Sequence, residues 1–77
     1  MSSRPIKRSL TLKGHRTSVT LEDIFWQQLQ SIAKRKDISI NALVAEIDAT
    51  RDLEASLASS LRSFILLDAL KPARFVD

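Results

Sequence analysis

Cysteine and tyrosine are absent from this chain, histidine and glycine occur once each, and proline occurs twice. Each scarcity excludes something. With no Cys and only His15, there is no disulfide, no Cys–His nucleophile and no zinc cage. A single glycine, Gly14, cannot build a loop that cradles phosphates. No apolar run reaches the ~18 residues of a membrane span. The first residues, Met1-Ser2-Ser3-Arg4-Pro5, lack the apolar core of a secretory signal, so the cytoplasm is the expected compartment. Ser59-Ser60 has no base beside it. Asp48 and Asp52 lie four apart without a companion and read as a solvated helix face. Neither an enzyme nor a metal or other cofactor is expected.

What remains is small and unevenly charged. A chain of 77 residues makes one domain at most, and at that size only about 60% of the unfolded surface is buried. Disulfides and metals are unavailable as staples, so oligomerisation is the default. A hydrophobic share of 44% excludes a disordered chain. Residues 1–16 carry Arg4, Lys7, Arg8, Lys13 and Arg16 and no acid, whereas the remainder carries seven bases and nine acids. A basic arm on a mildly acidic body suits a polyanionic partner; a merely solvated terminus is the plain alternative.

Residues 1–7 read as a flexible arm. Arg8-Ser9-Leu10-Thr11-Leu12 and Arg16-Thr17-Ser18-Val19-Thr20-Leu21 both alternate polar and apolar, as short strands do. Their apolar positions are even in the first and odd in the second, and Gly14 between them offers a bulge or tight turn to absorb the mismatch. Thr20 through Asp23 resembles a capping box. Phe25, Trp26, Leu29, Ile32 and Ala33 form the apolar stripe of a helix over about 21–36, with Lys34-Arg35-Lys36 as a solvated end that suits the helix dipole. Asp37-Ile38 connects to a second helix over about 40–51, capped by Ser39 and striped by Ile40, Leu43, Val44 and Ile47. Residues 52–56 either continue that helix or cap a third through Asp52 or Ser56. Leu57, Leu61, Phe64, Ile65, Leu67 and Leu70 mark this third helix, which ends before Pro72. The chain shows no internal repeat.

A lone strand needs a partner for its backbone groups. That partner is either segment 8–12 or the same strand of a second chain, antiparallel across a two-fold axis. The order strand, helix, tight turn, helix, carried by Arg16-Thr17-Ser18-Val19-Thr20-Leu21, Trp26, Leu29, Ile32-Ala33-Lys34 and Ile38-Ser39-Ile40-Asn41-Ala42-Leu43-Val44, resembles a ribbon-helix-helix protein of the Arc/MetJ superfamily. The longer run from Lys7 is similar to a bacterial subfamily with an extra C-terminal helix. The resemblance implies a mainly α fold with a short β-ribbon, its strands paired antiparallel between two protomers, over residues 8–51. Residues 52–77 would be a C-terminal helix and tail packed on the dimer.

The resemblance also implies roles. Arg16, Ser18 and Thr20 would contact bases in the major groove, with Thr17 beneath them. Arg4, Lys7, Arg8, Lys13 and the helix start at Ser39, Ile40 and Asn41 would contact phosphates. Val19, Leu21, Phe25, Trp26, Leu29, Ile32, Leu43, Val44 and Ile47 would form the dimer core. Strand 8–12 is additional to the minimal motif: it extends the ribbon, folds back as a hairpin, or supplies the reading residues Arg8, Ser9 and Thr11 itself. His15 reads as a turn residue or phosphate contact. The expected function is sequence-specific binding of double-stranded DNA by a homodimer that represses transcription. The rivals are an antitoxin and an interaction module that uses the C-terminal helix to dock a protein.

Overall fold

The computed structural model describes residues 4–71. It runs β1 (Pro5–Leu12), β2 (His15–Glu22), α1 (Asp23–Arg35), α2 (Ile40–Ala49) and α3 (Leu57–Ala69); β1 starts three residues before the expected strand, so Pro5, Ile6 and Lys7 pair with β2 and do not belong to a flexible arm. The two strands pair antiparallel with each other, from Leu12 opposite His15 at the turn to Pro5 opposite Glu22 at the root. Lys13 and Gly14 join them with φ of 52° and 82°. Two successive positive φ values define the tight hairpin turn whose twist matches that of the strands.

This turn resolves the parity mismatch. In a two-residue hairpin with Leu12 opposite His15, even positions of β1 share a face with odd positions of β2. Leu10, Leu12, Val19 and Leu21 therefore lie together on one face, and all four are buried. The pairing seen here joins β1 and β2 of one chain as a hairpin, where the resemblance implied strands of two protomers.

α1 begins two residues later than the sequence suggested, because β2 persists through Glu22. The capping box does not form. Thr20 is committed to the ladder opposite Lys7, and the position before α1 is Glu22, whose side chain caps nothing. α1 ends in a left-handed residue, Asp37 (φ 58°), with Ile38 N–H bonded to Ala33 O at 3.0 Å and Asp37 N–H to Lys34 O at 3.1 Å. That double closure satisfies the last carbonyls and turns the chain sharply into α2. Ser39 caps α2 by accepting from Ala42 N–H, and Ser56 caps α3 by accepting from Ser59 N–H. Between them, Asp52 accepts from Glu54 N–H in a short turn.

The core is entirely apolar among the described residues: the inner face of the hairpin, Trp26, Leu29, Ile32 and Ala33 of α1, Leu43, Val44 and Ile47 of α2, and Leu61 and Ile65 of α3. α3 packs on its own chain. No helix among the described residues is long and apolar enough to cross a membrane.

Candidate nucleic-acid interface

The register assigns the other face of the hairpin as firmly as the first. Lys7 opposite Thr20, Ser9 opposite Ser18 and Thr11 opposite Arg16 all point away from the core, and all six residues are exposed. Arg16, Ser18 and Thr20, expected in the groove, share one surface. Ser9 and Thr11, only one option for strand 8–12 in the sequence, stand beside them. The signal for them was the parity offset across Gly14, which carries this consequence once the turn has two residues.

The ion pairs separate the cations into two groups. Arg8, Arg35, Lys36, Arg51, Arg62 and Lys71 each engage an acid. Arg4 aside, the cations with no ion pair among the described residues are Lys7, Lys13, Arg16 and Lys34. Lys7 and Arg16 stand on the outer face of the hairpin, and Lys13 is at its tip. No acid occurs between Arg4 and Leu21. Glu22, at the root, accepts from Arg62 Nη2 at 2.9 Å and Nε at 3.1 Å. Its own main-chain N–H, and then the Arg62 guanidinium, hold its carboxyl below the usual range. The single acid at this end of the face is therefore ionised and already paired.

Arg8 is not on this surface. It lies on the inner face opposite Val19, donates to Asp23 Oδ1 at 2.8 Å and stacks 4.9 Å from the Trp26 ring centre. Its Nε is buried without a partner. Asp23 also accepts from Gln27 at 2.6 Å. Thr17 is on the inner face as expected but remains exposed. His15 occupies the last inner-face pair, opposite Leu12, and is exposed.

The start of α2 lies beside β1: Asn41 Oδ1 is 3.5 Å from Thr11 N–H, at the long limit for a hydrogen bond. Ser39 Oγ takes Ala42 N–H and Ser39 O takes Leu43 N–H, leaving Ile40 and Asn41 as the orphan donors of the first turn. Lys34 and Asp37 line a shallow hollow there with Ser39 and Ile40. An anion at this end meets two main-chain donors and an unpaired ammonium, opposed by one carboxylate. The nine residues expected at a dimer core line the interior of this one chain, with Phe25 half-buried and the other eight buried.

A family model described as a ribbon-helix-helix domain matches residues 5–69. The chain belongs to that family. Ribbon-helix-helix domains are a DNA-binding, non-enzymatic family of regulators, which agrees with a polar, cationic ribbon face on an apolar base. No curated protein and no solved structure matches the chain.

Proposed function

We propose that this ribbon-helix-helix protein is a sequence-specific, double-stranded-DNA-binding regulator. It acts in the cytoplasm, at the nucleoid, as a homodimer that represses transcription by occupying its site. The observation that carries the reading is the outer face of the hairpin: six exposed polar side chains in register, with cations that no acid neutralises. A two-stranded ribbon fits the major groove. Lys13 at the tip and the α2 start supply phosphate contacts that set orientation, and the outer-face side chains of the hairpin supply sequence readout. Arg16 is suited to a bidentate contact with guanine O6 and N7.

Fluorescence anisotropy on a labelled duplex across a salt series tests this. Wild type should bind at low salt and weaken steeply as salt rises. Lys7→Ala/Lys13→Ala should flatten the log–log salt slope by about one unit per lost phosphate contact. Arg35→Ala, which removes a pair with Asp68, should leave the slope unchanged. Equal slopes for wild type and the double variant would remove the ribbon from the interface.

One observation favours a second reading. Leu66 and Leu67 on α3 and Leu70 at its C-terminal cap are 57%, 65% and 69% exposed, a surface suited to a protein partner. In that reading α3 docks a protein, as in an antitoxin, and substitutions there alter pull-down without altering DNA affinity.

A further inference from the structure

The two strands carry the same side-chain pattern nine positions apart. Lys7, Ser9 and Thr11 on β1 correspond to Arg16, Ser18 and Thr20 on β2, and the interleaved Leu10 and Leu12 correspond to Val19 and Leu21. The pairing turns this likeness into symmetry. Ser9 lies opposite Ser18, Lys7 opposite Thr20 and Thr11 opposite Arg16. A two-fold axis normal to the ribbon, passing between Ser9 and Ser18, therefore carries Lys7 onto Arg16 and Thr11 onto Thr20. An antiparallel ribbon has this property only when sequence and register agree, and a one-step slip would destroy it. Six residues that match mainly by type do not stand out as a repeat in the linear sequence; the register reveals them.

We propose that a single chain presents a pseudo-two-fold reading face. Lys7, Ser9 and Thr11 specify bases as the counterparts of Arg16, Ser18 and Thr20, and the ligand is a short duplex segment with approximate dyad symmetry centred under Ser9 and Ser18. The proposal rests on the DNA-binding reading above and deepens it. Operator symmetry mirrors protein symmetry, and here one chain supplies both halves. Each triad spans ~13 Å of strand, about four base pairs at 3.4 Å per step. The departure from symmetry is Lys7 against Arg16. An ammonium lacks the planar fork of a guanidinium, so the half of the site beneath Lys7 is read less sharply. In the homodimer each chain brings its own reading face.

Enrichment of bound sites from a random duplex pool tests this with the full-length protein and with Arg16→Ala, Lys7→Ala, Lys7→Arg and Ser9→Ala/Thr11→Ala. All these side chains are exposed, and a helical circular-dichroism signal confirms that each variant is folded. Wild type should recover a site with a strong guanine preference on one side and a weaker one at the dyad-related position. Arg16→Ala should abolish the first preference, by about ten- to a hundred-fold, and Lys7→Ala the second. Lys7→Arg should raise the weaker preference to match the stronger. Ser9→Ala/Thr11→Ala should relax preference at the dyad, under Ser9, and beside the Arg16 contact, under Thr11. If Arg16→Ala alters the site while every β1 variant recovers the wild-type site, β2 alone reads DNA and the pseudo-two-fold proposal is overturned, with DNA binding intact. If wild type enriches no site, the DNA-binding reading fails first.

Discussion

Arg8 and Arg16 are the same residue type on one hairpin, and the register gives them opposite surroundings. Arg16 faces outward without an ion pair among the described residues. Arg8 faces inward, between Asp23 and the only tryptophan. From sequence alone both belonged to one basic arm, because charge says nothing about facing until the strand pairing is known. The same applies to Thr20, legible as a helix cap from its spacing to Asp23 but held in the ladder by Lys7 across from it. Arg16, Ser18 and Thr20 were legible as a set because alternation along a single strand suffices to group them. Arg8→Ala should destabilise the fold by about 1–2 kcal/mol, combining a partly exposed ion pair with a cation–π contact. It should also change the emission of Trp26 and leave the recovered DNA site unchanged. Thermal melts, fluorescence and site enrichment read the three effects; a changed site would place Arg8 among the readers.

At the scale of elements, helices were the most legible part. The stripes over α1, α2 and α3 have the helical period, and the Ser39 cap forms as spacing suggested. The hairpin was less legible because its turn, Lys13-Gly14, lacks the usual asparagine or aspartate at the first central position. Lys13 adopts φ 52° at a steric cost of roughly 1–2 kcal/mol for an L-residue. Lys13 stands at the tip of the cationic face, where the proposed phosphate contact uses its charge. Lys13→Asn should relieve the strain and raise the melting temperature, while lowering the salt slope of DNA binding by about one phosphate contact. A variant that melts lower than wild type would contradict the assigned turn. The start of α3 also lay beyond the sequence, since Asp52 and Ser56 both have cap chemistry. The structure uses Asp52 in the intervening turn and Ser56 as the cap.

For the whole molecule, composition pointed to a partner chain because so few residues seemed able to close a core. What altered that balance was the joint burial of both strands with α3. Leu61 of α3 is fully buried, in the same core cluster as Leu21, Leu29, Leu43 and Val44, and Arg62 of α3 clamps the ribbon root through Glu22 while lying 5.8 Å from the Phe25 ring centre. The third helix thus fastens the base of the ribbon, and the hairpin stands on a platform made by its own chain. The central claim is that the outer face of this hairpin is the surface that meets DNA. Amide chemical-shift mapping of the 15N-labelled full-length protein during titration with a short duplex tests it most directly. Shifts should concentrate on Lys7, Ser9, Thr11, Lys13, Arg16, Ser18 and Thr20 and at the start of α2 near Ile40 and Asn41, with α3 largely silent. Shifts confined to α3, or to the cleft between α2 and α3, with the hairpin unmoved would contradict it.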